Sequence, residues 1–220
     1  MNVNEALGSR HATRAYKPVP VSKETVLQIL DDARNTPSWA NSQPWEVFVA
    51  SGAALERLRA GFLEKFNSNV STAPEKPRPE WPAEISQRIA ELAASHMKAL
   101  GIAPDDQDAR QKMTLGNYWF FDAPVVIYLC MDRNLGPWSM YDLGAFSQSI
   151  MLAAQGRGLN TIPAVMLAGY PQLIRDELKI PAELSIVIGI ALGYGDQAKA
   201  ENKFVSSKRP VEDFTRLVGY

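Results

Sequence analysis

Residues 123–130 read APVVIYLC, and residues 184–195 read LSIVIGIALGYG. Each is a short, continuous apolar run rich in β-branched residues, which is typical of a strand buried on both faces. WEVFVAS at 45–51 and NTIPAV at 160–165 indicate two further strands. Because helical patterns alternate with these runs, the sequence predicts a layered α/β or α+β domain around a central sheet.

Two of the predicted helices are informative about packing. Ser22 is a candidate N-cap for a helix whose apolar face would hold Val26, Leu27, Leu30 and Ala33. Residues 140–159, MYDLGAFSQSIMLAAQGRGL, combine small residues with few charges, which favours a helix buried against another helix. Further helices are predicted near the start of the chain and at 53–66, 83–100, 106–119 and 170–180, with a proline-rich loop at 67–82.

Length, charge and cysteine content narrow the class of protein. A chain of 220 residues fits one core, since single cores grow to roughly 250 residues. The 23 basic and 24 acidic side chains give a net charge of −1, which argues against non-specific nucleic-acid binding. No apolar run approaches the roughly 20 residues of a membrane span. We therefore expect a cytoplasmic protein with a single domain over residues 1–220, and neither nucleic-acid nor membrane partners.

Several kinds of catalytic site are poorly supported. His11 and His96 are far apart and accompany no cysteine cluster, so no metal site is predicted. No serine lies in a G-x-S-x-G motif. Cys130, the single cysteine, lies inside an apolar strand and is interpreted as a buried structural thiol. His96 lies on the amphipathic ELAASHMKAL segment and is interpreted as a solvated or packing residue.

Two basic clusters are candidates for binding a phosphate. RHATR at 10–14 contains Arg10 and Arg14, and SSKRP at 206–210 places Lys208 beside Arg209. Arginine forks suit phosphate because two parallel N–H groups meet two oxygens. For either cluster alone, a solvated surface patch is the favoured interpretation. The chain has no Walker loop and no G-x-G-x-x-G motif, and ALGYG is a weak signal.

The stretch PSWANSQPW at 37–45 makes a ligand site more favoured than a solvated surface patch. Two tryptophans in a surface loop indicate that their indole rings pack against the core, a ligand or another chain. Trp45 opens a strand, so a structural role is favoured there. Trp39 lies in a turn and is the better candidate for contact with a flat partner, although a core position is the alternative. Asn41 and Gln43 offer amide donors and acceptors that suit a planar heterocycle.

With RHATRAY at 10–16, PSWANSQPW at 37–45, GLNTIPAVML at 158–167 and SSKRP at 206–210 in this order, the chain resembles the FMN-dependent nitroreductase family. The PSWANSQPW motif and the AGYP at 168–171 resemble the corresponding motifs of the family branch that reduces small nitroaromatics. The resemblance covers nearly the whole chain and is weakest at about 52–115. It implies an α+β fold with a central mixed β-sheet flanked by helices. It also implies a homodimer with FMN at the subunit interface and a C-terminal extension that reaches the partner subunit.

The resemblance assigns FMN-binding roles to residues in all four motifs. The phosphate would be held by Arg10, Arg14, Arg209 and Lys208. His11 and Ala12 would supply backbone contacts, with Ala12 standing where the family usually has a serine. One face of the flavin ring would be lined by Pro163, Ala164 and Val165, and Gln148 would touch the ribityl chain. The flavin of the other subunit would be reached by Pro37, Ser38, Trp39 and Asn41, within a segment, residues 37–45, that we name the lip.

The activity implied by the resemblance is a two-electron, ping-pong reduction. NAD(P)H would reduce FMN and leave, and a small nitroaromatic would then be reduced to nitroso and hydroxylamino products, contacting Trp39, Phe120 and Met166. No catalytic side chain is named, because water could supply the protons. The sequence does not distinguish NADH from NADPH. Alternatives are a reductase of quinones, free flavins or enones, a non-catalytic flavin-binding protein, and an interaction module without a cofactor.

Overall fold

The chain folds into helices packed on both sides of one four-stranded sheet. The structure, a computed structural model, describes residues 1–76 and 79–220. The helices are α1 Val3–Ser9, α2 Lys23–Ala33, α3 Gly52–Asn67, α4 Ala83–Ala99, α5 Gln107–Tyr118, α6 Pro137–Gly156 and α7 Pro171–Leu178. The strands are β1 Glu46–Ser51, β2 Val125–Asp132, β3 Asn160–Ala164 and β4 Leu184–Gly193. The predicted helices and strands are all confirmed, while part of the predicted 67–82 loop, residues 77 and 78, lies outside the described residues.

The sheet has the order β1-β2-β4-β3, and each neighbouring pair is antiparallel. The prediction of a mixed sheet is therefore wrong for these four strands. Among the described residues, the parallel pairing is confined to a single bridge between Ala12 and Thr161. Long helical connections allow a strand to return in either direction, so apolar runs alone do not reveal strand polarity.

Strand β2 separates two hydrophobic cores. Its even-numbered residues, such as Tyr128 and Cys130, face α3 and α7, whereas its odd-numbered residues, such as Ile127 and Leu129, face α2 and α6. The predicted burial on both faces is confirmed. Cys130 is fully buried, and this burial raises the pKa of its thiol to about 12, as expected of a structural cysteine.

Helices α2 and α6 form the layer that carries the lip. The Ser22 hydroxyl accepts the backbone N–H of Thr25 at 3.1 Å, which confirms the predicted N-cap. Leu27 is 53% exposed, whereas Ile29 is buried. The predicted apolar face of α2 was therefore wrong at Leu27. Helix α6 packs against α2 and α1, as its small residues predicted. Within the described residues, no helix has the length and apolar character needed to cross a membrane.

Candidate cofactor and substrate site

The first basic cluster lies beside strand β3. The backbone N–H of Thr13 donates to the carbonyl of Thr161 at 3.2 Å, and Ala12 bridges to the same residue. These bonds bring the motif RHATRAY next to GLNTIPAVML, although about 150 positions separate the two in sequence. The arginines of the first motif are thereby fixed near the end of β3.

Asn202 ties the C-terminal segment to the same place. Its Oδ1 accepts the backbone N–H groups of Arg14 at 2.7 Å and Ala15 at 3.2 Å. Its Nδ2 donates to the carbonyls of Ala15 at 2.7 Å and Asp196 at 2.9 Å. Asn202 is buried, so a fully bonded amide holds the two ends of the chain together. The residues that follow it, 204–208, then pass over the arginine segment.

A cavity of about 300 Å³ opens where these segments meet. Six predicted binding residues line it: Arg10, His11, Ala12, Arg14, Pro163 and Lys208. Arg209 does not join them. Its guanidinium donates to the carbonyl of Asp213 at 2.7 Å and faces the ring of Phe214, in a groove beside α4. Of the four residues predicted to hold one phosphate, Arg10, Arg14 and Lys208 line this cavity and Arg209 does not.

The electrostatics of this cavity favour an anion. Burial lowers the pKa of the Arg14 guanidinium. Among residues 1–76 and 79–220, no carboxylate lies within ion-pair distance of Arg10, Arg14 or Lys208. His11, which lines this cavity, has a buried Nε2 that lacks a hydrogen-bond partner in the described part of the chain. A phosphate group would supply the negative charge that Arg10, Arg14 and Lys208 lack among the described residues.

A second cavity of about 300 Å³ adjoins the first through Arg14 and Pro163. His96 lines it from α4, in the part of the chain where the family resemblance is weakest, and Asn117 lines it from α5. The His96 ring packs on Phe204 at 4.8 Å, and burial, followed by the charge of Arg14, lowers the His96 pKa. His96 therefore packs as predicted but also borders the site, which the sequence interpretation missed.

A third cavity, of about 710 Å³ and mainly apolar, also has Pro163 in its lining. Val165 and Trp81 line it together with residues of α6. The short 3-10 turn Val165–Ala168 packs closely on β4, because a side chain at Gly189 would meet Leu167 at 2.6 Å. Within the segment predicted to lie under a flavin ring, Pro163 lines all three cavities, Ala164 lines the second and Val165 the third.

The lip lies against α6, and none of its residues lines the three cavities described above. The Trp39 side chain is 71% exposed, while its backbone N–H donates to buried Asp142 at 3.1 Å. A core position for Trp39 within its own protomer does not fit this exposure. Trp45 stacks on Phe146 with ring centroids 4.4 Å apart, which confirms the structural role predicted for it. Gln148 is half-buried on α6 and lines none of the three cavities.

Two predicted substrate contacts, Phe120 and Met166, differ in how deeply they are buried. Phe120 is fully buried and packs edge-on against Phe62 at 4.7 Å, so its side chain does not reach the cavities. The structure therefore does not fit a substrate contact by Phe120, and its neighbour Phe121 borders the second cavity in its place. Met166 is half-buried with its sulfur 4.0 Å from the Thr72 hydroxyl. Its predicted role remains a prediction.

Comparison with known proteins identifies the family. The Nitroreductase family model matches residues 7–194. The chain belongs to the nitroreductase family. It is 36% identical to the nitrobenzene nitroreductase of Ectopseudomonas oleovorans over 98% of this chain and 96% of that protein. It is 33% identical to the 4-nitrobenzoate reductase of Pseudomonas putida over 97% and 94%, respectively. The family predicted from the four motifs is confirmed.

Solved structures of nitroreductases share this fold. The NADPH complex of the FMN-dependent nitroreductase NfnB from Mycobacterium smegmatis superimposes with a TM-score of 0.92 and 29% identity, over 98% of this chain and 97% of that one. The FMN and NADPH-dependent NfnB from Sphigopyxis sp. strain HMH gives a TM-score of 0.95 and 26% identity over the whole of both chains. The predicted nitroreductase-like α+β fold is confirmed, apart from the polarity of its strands.

Proposed function

We propose that this nitroreductase is an FMN-dependent NAD(P)H oxidoreductase that reduces nitroaromatic compounds. The observation that carries the proposal is the cavity in which Arg10, Arg14 and Lys208 meet from opposite ends of the chain, without a carboxylate partner in the described residues. Similar proteins named as reductases of nitrobenzene and 4-nitrobenzoate support the choice of acceptor. Solved neighbours named as FMN- and NADPH-dependent support the choice of cofactor and donor.

The residues present fit FMN. Arg10, Arg14 and Lys208 would hold the phosphate, and the backbone of His11 and Ala12 would face the polar edge of the flavin. Pro163, Ala164 and Val165 would support one ring face, and Gln148 would approach the ribityl chain in the assembled dimer. When bound, FMN supplies two-electron chemistry, taking a hydride from NAD(P)H and passing the electrons to a nitro group.

The side chains would bind and orient the reactants. Nicotinamide and nitroaromatic would use one pocket in turn, which gives ping-pong kinetics, and the acceptor would be reduced to the nitroso and then the hydroxylamino stage. No side chain is assigned as a general acid, because water can bring the protons. The polar groups of the second cavity, His96 and Asn117, lie close enough to Arg14 to shape one end of this pocket.

We also propose that the working unit is a homodimer, with one domain in each chain. The lip leaves Trp39 exposed and lines none of the three cavities of its own protomer, which supports delivery of Pro37, Ser38, Trp39 and Asn41 to the site of the partner. The C-terminal extension would reach the partner as well. The cytoplasmic location expected from the sequence is kept in this proposal.

Purification under native conditions tests the proposal directly. The protein should be yellow, release FMN on denaturation, and oxidise NADH or NADPH under anaerobic conditions faster when nitrobenzene or 4-nitrobenzoate is added. Release of FAD, or of no flavin, would overturn the cofactor assignment. Bound FMN without NAD(P)H oxidation would indicate a flavin-binding protein. Turnover with quinones, free flavins or enones, but not nitroaromatics, would overturn the acceptor class.

A further inference from the structure

The lip is fastened to helix α6 at both of its ends. Directly before it, the hydroxyl of Thr36 donates to Ser149 Oγ at 2.6 Å. At its last residue, the Trp45 ring stacks on Phe146 with an interplanar angle of 4°. These contacts fix where the lip begins and ends. The middle residues are joined to one another, since the Ser38 hydroxyl accepts the backbone N–H of Gln43 at 2.9 Å and the Trp39 carbonyl accepts that of Ser42 at 3.0 Å, but these bonds do not attach the middle of the lip to α6.

Asp142 holds the middle of the lip. Its Oδ2 accepts the backbone N–H of Trp39 at 3.1 Å, and in the part of the chain that the structure describes this is the hydrogen bond that joins α6 to the interior of the lip. Asp142 is one helical turn before Phe146, and Ser149 is about one turn after it, so one face of α6 carries the three attachments. The Asp142 side chain is buried, where an ionised carboxylate needs hydrogen-bond donors.

The conformation of the lip depends on such attachments. Ala40, Asn41 and Gln43 have positive φ angles of 51°, 57° and 45°, a region that disfavours residues with a side chain. Backbone of this kind persists only where the surroundings determine it. Trp39 adds little packing within its own protomer, because it is 71% exposed. The point from which its indole extends is therefore set through its backbone.

We propose that Asp142 is a positioning residue that selects substrate through Trp39. By fixing the backbone N–H of Trp39, the carboxylate sets where the indole stands at the rim of the pocket. The inference rests on the proposed function, since it assumes that Trp39 contacts the nitroaromatic. A bond to a charged acceptor that orders one segment corresponds to roughly a tenfold change in an equilibrium, so the effect on substrate binding is measurable.

A double-mutant cycle tests the path through Trp39. Asp142→Ala should raise the KM for 4-nitrobenzoate or nitrobenzene several-fold, and by no more than Trp39→Ala does, because an effect that acts through the indole is limited by the loss of the indole; flavin content should change little. In a Trp39→Ala background, the same change should have no further effect on KM. Asp142→Asn keeps an acceptor oxygen and should restore a near-normal KM. Ser149→Ala removes an end attachment on the same helix face, and it should raise the KM less, because the Thr36 hydroxyl keeps its bond to the carbonyl of Ala33 at 2.7 Å.

Amide hydrogen exchange of the flavin-free protein gives a readout that is independent of turnover. Exchange in residues 37–45 should accelerate in Asp142→Ala and stay near the unsubstituted rate in Asp142→Asn. If Asp142→Ala does not fold, Asp142→Leu, which has similar volume and no acceptor, replaces it in both experiments.

The outcomes separate this inference from the proposed function. Additive KM effects of Asp142→Ala and Trp39→Ala in an active flavoprotein, or unchanged exchange in the lip, would overturn the role of Asp142 alone. Absence of FMN or of nitroaromatic turnover in the unsubstituted protein would overturn the proposed function, and with it the role of Asp142 in substrate selection. Accelerated exchange in Asp142→Ala would then still show that Asp142 holds the lip, as a structural contact.

Discussion

At Arg14, a guanidinium lies partly buried in a cavity without a carboxylate partner among the described residues. If a phosphate supplies that partner, Arg14→Ala should weaken FMN binding by about tenfold or more, because hydrogen bonds between charged groups are lost. Fluorescence titration of the flavin-free protein measures this change. Arg209→Ala should weaken binding less, since Arg209 is held at Asp213 and Phe214.

A matched control for Arg14 is Arg34→Ala. Arg34 pairs with Asp31 at 2.9 Å at the end of α2, both side chains are largely exposed, and Arg34 lines none of the three cavities. Exposed pairs of this kind contribute little to stability, so FMN affinity should be unchanged. Equal affinity in all three variants would reject the phosphate site.

Trp39→Ala separates a pocket role from a packing role. The indole is 71% exposed, so its removal should change the melting temperature of the protomer by about 2 °C or less. The KM for a nitroaromatic should rise several-fold, while flavin content stays near normal. Calorimetry and steady-state kinetics on the same preparation check both statements. A large drop in melting temperature with unaltered kinetics would assign Trp39 to packing.

His96 should make the stability of the flavin-free protein depend on pH. Burial, with the nearby charge of Arg14, lowers the His96 pKa below its ordinary value of 6.5, and Glu201 opposes this in part. Because the unfolded chain then binds the proton more tightly, stability should be unaffected above pH 6.5 and fall as the pH drops below it. Urea unfolding at about pH 7.5 and pH 5.5 measures this difference. His96→Gln should reduce it, and an unchanged difference would contradict the prediction.

At the scale of elements, Asn202 fastens the C-terminal segment to the arginine segment. Asn202→Ala removes four hydrogen bonds and leaves buried N–H groups without partners, so the free energy of unfolding should fall by about 2 to 4 kcal/mol. FMN affinity should fall too, because Arg14 loses its fixed backbone. Asn35→Ala serves as the control, since Asn35 is exposed at the end of α2. A stable Asn202→Ala protein with normal flavin affinity would refute the role of this residue.

Local patterns predicted the helices and strands well because each pattern reports on its own segment. The run APVVIYLC had to be buried on both sides, and Ser22 had to precede a helix. The antiparallel direction of the strands was not predicted, because it depends on the path of the long connections between them. Leu27 was predicted to be buried, but it is exposed and Ile29 is buried. The helical period is compatible with either residue on the apolar face, and tertiary packing decides which of them is buried.

The site was predictable as motifs but not as geometry. RHATR and SSKRP contain side chains suited to phosphate, yet their meeting depends on Asn202 and on the pairing of Ala12 with Thr161. His96 and Asp142 gave no local signal beyond their residue type. Their roles arise from contacts across the fold, with Phe204 and Trp39 respectively, and a single sequence does not record such pairs. Phe120 was misjudged because a strained turn directs Phe121 to the cavity in its place.

On the scale of the whole molecule, many large apolar side chains are exposed in the protomer. Near the end of the chain they include Val205, Val211, Phe214, Leu217 and Val218, and on α6 they include Trp138 and Tyr141. Exposed apolar surfaces of this extent commonly mark interaction sites. The lip presents Trp39 in the same exposed manner. A homodimer that covers these residues would bury roughly 2,000 to 5,000 Å² if it is obligate.

Removing residues 203–220 tests whether the tail makes that dimer. A chain that ends at Asn202 keeps the buried amide that fastens the arginine segment, while it loses Phe204, Lys208 and the exposed apolar residues. In sedimentation it should run as a monomer, or precipitate, and it should lose FMN. The full-length variant Lys208→Ala/Arg209→Ala controls for the lost charges, and it should bind FMN less tightly yet remain a dimer. A truncated chain that stays dimeric, or a full-length holoprotein that sediments as a well-behaved monomer, would contradict the assembly.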